Sequence, residues 1–237
     1  MKKEKNELQQ EAVVAHVIPS RIPLLNEGIT KGDYKALRLT SDTQLYQAYE
    51  LRHQIIVHEW KWLKENGSNK EYDLYDFCSD HFAVYHESKM VAYARMIKAH
   101  GLSQMMLQRD FFVLVKDKSE ELEKEIEQRW GECVEVSRLI IHPEYRVHAQ
   151  NVLYLLYTIM VRWADTRNMH YWYFVVDRKF FESLKRQNFI VHEFANGSVV
   201  PGGDVCVAGW LDLKASYKNL KDKVPDIHRE IFGNIEL

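Results

Sequence analysis

Glu135-Val136-Ser137-Arg138-Leu139-Ile140-Ile141, closed by His142-Pro143, sets a carboxylate, a hydroxyl and a guanidinium inside an otherwise apolar run. A stretch this rich in Val, Leu and Ile, stopped by proline, reads as a largely buried strand. Ionic groups hold such a position only with partners. Strand side chains alternate between faces, so Glu135, Ser137 and Leu139 are expected on one face and Val136, Arg138 and Ile140 on the other, barring a bulge. Glu135 and Arg138 should then meet different partners.

Upstream of this strand, Ser41-x-x-Gln44 has the form of a capping box and predicts a helix running to about Glu59. Leu45, Tyr49 and Ile56 fall on one narrow arc of that helix, and Arg52 sits in the middle of it. An arginine on an inward stripe requires a carboxylate. An acidic segment, Glu71-Tyr72-Asp73-Leu74-Tyr75-Asp76, follows a polar loop that contains Trp60 and Trp62, and its Asp73 and Asp76 are the candidates. His81–His86 and Met90–Ile97 then read as an antiparallel hairpin whose second strand carries Arg95. Leu102–Val115 is apolar and irregular, and Ser119–Trp130 is a charged helix leading into the strand at Cys133.

Beyond His142-Pro143, Ala149–Ala164 is apolar almost all round and should lie buried against a sheet. Tyr171–Val176 is a further strand, and Arg178–Gln187 a short basic helix with Asn188 at the place of a left-handed cap. Ile190–Phe194 returns as a strand, Asn196–Gly203 reads as a loop, Val205–Leu213 as the last strand, and the tail from Ser216 as helix. The order predicts one α/β (α+β) domain over 36–237, with a mixed sheet, preceded by an N-terminal extension over 1–35. Within that extension, Pro19–Gly32 reads as an irregular strap.

Composition narrows the function classes. With 46% apolar and 12% aromatic residues, the body is not a disordered chain. A formal net charge of -2, with neither an arginine-rich arm nor zinc-finger spacing, argues against nucleic acid. Cys78, Cys133 and Cys206 are odd in number and scattered, which fits a reducing compartment. No apolar run approaches the roughly 18 residues of a membrane span, and Met1–Ala15 lacks the apolar core of a signal peptide, so a soluble, cytoplasmic protein is expected. No metal site is expected: the eleven histidines form no HxxxH cluster, and His53 and His58, five apart, do not share an α-helical face.

Taken together, Leu51-Arg52, Trp62, Glu71-x-Asp73-x-Tyr75-Asp76, Arg95 and Glu135-Val136-Ser137-Arg138 resemble, in order and approximate spacing, the charged motifs of acyl-homoserine-lactone synthases and their relatives, the long-chain N-acyl amino acid synthases. Met105-Met106-Leu107 with Phe111, and Phe181-x-x-Leu184-Lys185-Arg186-x-x-Phe189, add to the resemblance, which covers about residues 36 to 194. It implies a GNAT-like fold, with a mixed, mostly antiparallel sheet flanked by helices. It also implies an N-acyltransferase using an acyl-pantetheine thioester. Two departures stand out. Ile56 replaces an aromatic residue usual in the lactone synthases. Arg146-Val147-His148-Ala149-Gln150-Asn151 lacks both glycines of the loop that binds coenzyme A pyrophosphate in ordinary GNAT enzymes. The donor implied is therefore acyl carrier protein, with acyl-CoA as the alternative, and no tightly bound cofactor.

The chemistry follows from what acyl transfer to an amine needs. A thioester is already reactive, whereas the amine must lose a proton, which a carboxylate at a cleft can accept through a water. Glu135 is the candidate base; the plainer reading is a partner for Arg52 or Arg95. Ser137 either bonds the thioester carbonyl or is a satisfied core hydroxyl. Arg52, Asp73, Asp76, Arg95 and Arg138 either bind the acceptor or lock one another in a buried network. Trp62 covers the acceptor or seals the helix end. Arg178, Lys179, Lys185 and Arg186 form a basic dock for an acidic carrier protein or simply a solvated face. Leu102–Leu114 and Leu153–Met160 line an acyl channel or belong to the core. Two acceptors fit, an amino acid or S-adenosylmethionine, the latter giving an acyl-homoserine lactone autoinducer; Ile56 favours the first. A short-chain acetyl-CoA enzyme and a non-catalytic acyl-lipid-binding module are the alternatives.

Overall fold

The computed structural model describes residues 27–65, 67–98, 119–129, 131–199 and 202–237. Its centre is an eight-stranded sheet made of β1 (Ile29–Lys31), β2 (Tyr34–Arg38), β3 (Ser79–His86), β4 (Lys89–Ile97), β5 (Cys133–Ile141), β6 (Tyr171–Asp177), β7 (Val191–Val199) and β8 (Val205–Asp212). The spatial order is β1-β2-β3-β4-β5-β6-β8-β7. Among the described residues, only β5 and β6 pair in parallel, as their connection through a buried helix requires. Six α-helices flank the sheet among the described residues: α1 (Asp42–Arg52), α2 (Ser119–Gln128), α3 (Ala149–Asp165), α4 (Arg178–Arg186), α5 (Leu213–Lys223) and α6 (Pro225–Phe232). The mixed, mostly antiparallel sheet and its helices form a GNAT-like fold.

The capping box forms as expected: Ser41 Oγ accepts from Gln44 N–H, and Gln44 Oε1 accepts from Ser41 N–H at 3.2 Å. The helix it opens does not stay α-helical, however. After Arg52 the chain widens into a π-helical segment, His53–Glu59, in which Trp60 N–H reaches Ile55 O, five residues back. On one side of the sheet, α1 and this segment bury Ala48, Leu51, Ile55 and Ile56 against Ala83, Tyr93 and Ile140. On the other side lies the larger core, where α3 buries eleven residues against Ala94, Met96, Val134 and Val136. α6 backs onto α3, and Thr158 Oγ1 donates to Glu230 O at 3.2 Å.

Three expectations are corrected. The strap over Pro19–Gly32 ends in a strand: β1 pairs with β2, which itself starts at Tyr34, so part of the extension assigned to 1–35 supplies the sheet edge. A three-residue edge strand is too short to show a period. Residues Asn196–Val199 continue β7 rather than forming a loop, with Ser198 opposite Cys206 and Val199 opposite Val205. Partnering by β8 overrides the local turn signal there. The third correction is the face of Arg138, and it shapes the site. Asn188 does adopt the left-handed cap conformation, at φ +68°. The Leu102–Val115 stretch, including Met105-Met106-Leu107 and Phe111, lies outside the described residues.

Candidate active site

Arg95 stands opposite Ser137 and Tyr93 opposite Ile140, so Arg138 and Leu139 together face Ala94. This is a β-bulge, and Arg138 occupies it at φ +56°. The bulge breaks the expected alternation and turns Arg138 to the same side as Ser137 and Arg95. Sequence period cannot reveal it, because the residue in the left-handed position is not glycine.

On that side three arginines meet three carboxylates. Arg52 donates from Nε to Glu71 Oε2 and from Nη1 to Asp76 Oδ1, both at 2.6 Å. Arg95 holds Asp73 through two nitrogens, at 2.6 and 2.8 Å, and also donates to Asp76 Oδ1 at 2.6 Å and Ser137 Oγ at 2.9 Å. Arg138 reaches Glu71 and, at 3.2 Å, Asp73 Oδ2. Arg52 and Arg95 are 0% exposed, yet the three-to-three charge balance makes the burial tolerable. The carboxylates are positioned locally as well. Asp73 caps the short 3₁₀ turn Leu74–Cys78 by accepting from Tyr75 N–H, and Asp76 Oδ2 accepts from Asp73 N–H.

Burial by itself would raise the pKa of Glu71, but the guanidinium groups of Arg138 and Arg52 win and hold it far below the usual carboxylate range. Asp73 is likewise lowered, with burial outweighed by its hydrogen bond to Arg95 and by the surrounding positive charge. Beneath the cluster, Tyr93 OH lies 2.7 Å from His81 Nδ1, and His81 Nε2 lies 3.1 Å from Asp76 O. Burial depresses the His81 pKa and so favours the neutral ring.

Glu135 and Ser137 border a cavity. β5 and β6 pair only from Cys133↔Tyr171 to Val136↔Phe174; beyond that β5 follows β4, β6 follows β8, and the sheet opens. A cavity of about 440 Å³ occupies the opening. Its lining includes Glu135, Ser137 and Arg138 from one face of the sheet and Val136, Trp172 and Phe174 from the other, so it passes through the sheet. Leu153, Tyr157 and Met160 of α3 form one wall, and Ile231 and Phe232 of α6 lie deeper in. Trp60, Trp62 and Leu63 roof the mouth, and Trp62 Nε1 donates to Asp204 Oδ2 at 2.9 Å. Gly202 lies against this roof at φ +102°, where a Cβ would come within 2.4 Å of Trp60 O. Glu135 is 1% exposed.

Of the residues singled out in sequence, Glu135, Ser137, Arg138 and Trp62 therefore line the cavity, while Arg52, Arg95, Asp73 and Asp76 form the charged layer beside it. Glu71 is a full member of that layer, bonded to both Arg52 and Arg138, and was not singled out. The signal was present, since Glu71 begins the acidic segment. The basic helix is less free than expected. Arg178 is held by Glu193 through two nitrogens at 2.7 Å, and Lys185 lies 3.5 Å from Glu182, leaving Lys179, Lys185 and Arg186 as the exposed cations. At the start of α3, Arg146 is bound by Glu59.

Residues 51–156 match the sequence profile of the GNAT acetyltransferase domain. The matched span is just under half of the chain and runs from the end of α1 into α3. The chain's structural relatives include the acyl-homoserine-lactone synthase LasI, at TM-score 0.62 and 16% identity, covering 86% of this chain and 96% of that one. A CoA-dependent acyl-homoserine lactone synthase, BjaI, solved with SAM and isopentyl-CoA, aligns at TM-score 0.55 and 15% identity over 76% of this chain and 83% of that one. FeeM, an N-acyl amino acid synthase from uncultured soil microbes, aligns at TM-score 0.55 and 10% identity over 78% and 94%. No curated protein matches the sequence significantly. At these identities the structural likeness is one of fold. No described helix is long and apolar enough to cross a membrane.

Proposed function

We propose that this protein is a cytoplasmic N-acyltransferase that moves a fatty acyl group from an acyl carrier protein thioester to the amine of an amino acid, with S-adenosylmethionine as the alternative acceptor. The observation that carries this reading is the apolar cavity crossing the sheet from Glu135 to Phe232. Its volume falls in the usual range of ligand sites, roughly 300–1,000 Å³, far beyond what an acetyl group needs. Each methylene buried there contributes about 0.8 kcal/mol, so the wall of Leu153, Tyr157 and Met160 favours a long chain over a short one.

In this reading the thioester carbonyl rests where β5 and β6 part, and gap-facing backbone N–H groups of the separated strands stabilise the oxyanion. Glu135 takes the proton from the attacking amine directly or through a water. The amine nitrogen forms the new bond to the carbonyl carbon, and the pantetheine sulfur leaves with the electron pair of the broken C–S bond and takes up the proton that Glu135 accepted, which restores the carboxylate. Arg95 holds Ser137 Oγ in place, and the network of Arg52, Arg95, Arg138, Glu71, Asp73 and Asp76 fixes the floor on which the acceptor sits. Trp62 covers it. Lys179, Lys185 and Arg186 offer an acidic carrier a positive surface, and the missing glycines at Ala149 and Asn151 disfavour coenzyme A pyrophosphate.

The experiment is to incubate the protein with matched acyl carrier protein and acyl-CoA donors and with amino acids or S-adenosylmethionine, and to identify the products by mass spectrometry. N-acyl amino acids formed faster from the carrier donor are expected, with the double reversal K185E/R186E raising the apparent KM for that donor alone. Faster turnover with acyl-CoA would remove the carrier assignment, and an acyl-homoserine lactone product would select the other acceptor. No transfer from any donor would favour a lipid-binding module.

A further inference from the structure

The π-helical segment His53–Glu59 changes which side chains are neighbours. In an α-helix, residues five apart point in different directions, but an i→i+5 hydrogen-bond pattern brings them into line. His53 and His58 are five apart in this segment, and their rings meet edge to face with centroids 4.6 Å apart. The chain then runs through Trp60 and Trp62 and returns Glu65 to the same spot, with its Oε1 3.3 Å from His58 Nδ1. One ligand atom from each of His53, His58 and Glu65 lies within 4.8 Å of the others. His53 is 6% exposed, and its Nε2 is buried with no hydrogen-bond partner among the described residues. A buried imidazole nitrogen without a partner is costly unless a ligand satisfies it.

We propose that His53, His58 and Glu65 form a divalent metal site of the zinc type. Two imidazoles and a carboxylate suit zinc or cobalt better than magnesium or calcium, which prefer all-oxygen ligands. Metal–ligand bonds of about 2.0–2.2 Å require a contraction of the cluster by about an ångström. His58 and Glu65 are both exposed and can supply that movement. Three protein ligands leave the fourth position to water. The ion ties Glu65 to the π-helical segment across the intervening Trp60–Leu63, the residues that roof the cavity, and so acts as a clasp on the roof rather than as a reactant. The proposal is independent of the donor and acceptor assigned above.

The test uses the full-length, metal-stripped protein titrated with zinc chloride by calorimetry and with cobalt(II) by absorbance. The expected result is a single equivalent bound at micromolar or lower Kd, a raised Tm, and tetrahedral cobalt bands with no thiolate-to-metal charge-transfer band, which separates the site from exposed Cys78. His58→Ala and Glu65→Ala, both at exposed positions, should fold like the wild type by circular dichroism and each weaken binding by at least about tenfold, the loss usual even for outer-shell partners. Absence of saturable micromolar binding, a thiolate band, or an affinity unmoved in both variants would overturn the assignment.

Discussion

Arg138 grips Glu71 with two nitrogens, Nη2 at 2.8 Å from Oε1 and Nε at 3.0 Å from Oε2, from a backbone position at φ +56°. The strained residue and the buried carboxylate explain each other: only the bulge lets Arg138 turn toward Glu71. Strain of this kind persists where the surroundings over-determine it.

Stability should therefore decline in acid through this pair. The folded pKa of Glu71 is depressed relative to the unfolded chain, so its contribution is complete at neutral pH. It fades as pH falls below the unfolded value of about 4.3 toward the folded one. Arg138→Gly accepts the positive φ but removes one of the two guanidinium groups acting on Glu71. The variant should be less stable at neutral pH and should lose stability less steeply below about pH 4.5. Urea unfolding at stepped pH measures both, and parallel curves for the two proteins would refute the coupling.

Arg52→Ala removes a residue bonded to both Glu71 and Asp76, at a position that is 0% exposed. Breaking a buried ion pair from one side costs about 3–5 kcal/mol, and a loss of that order is expected in denaturant unfolding. An unchanged midpoint would mean the network reorganises without it.

Glu135→Gln keeps shape and burial but cannot accept a proton. Acyl transfer should fall by about 10²-fold or more with the thermal midpoint held, the usual scale for a general base. Turnover equal to the wild type at neutral pH would leave Glu135 as a structural residue.

Leu153→Trp puts extra volume into the α3 wall of the cavity. Overpacking of this kind costs about 1–3 kcal/mol of stability, and the preferred donor should shift to shorter chains, each excluded methylene forfeiting about 0.8 kcal/mol. Product profiles across a donor series report the shift. An unaltered profile would place the acyl chain elsewhere.

The sequence by itself determined the local pieces whose causes are local. The Ser41 cap, the hairpin carrying Arg95, the buried helix after Pro143 and the left-handed Asn188 could all be anticipated from periodicity and capping chemistry. Electrostatics could be anticipated in part: Arg52 on an apolar stripe demanded carboxylates, and the acidic segment from Glu71 provides them. What only the tertiary structure decided depends on neighbours distant in sequence. The bulge at Arg138 arises from the register against β4, where two residues must oppose one, and no local pattern encodes a register. The opening between β5 and β6 exists because each strand follows a different partner past Val136 and Phe174, so the cavity belongs to the pairing and not to either strand. The meeting of His53 and His58 depends on a change of helical pitch from α to π after Arg52, which overturns the α-helical spacing that separated them.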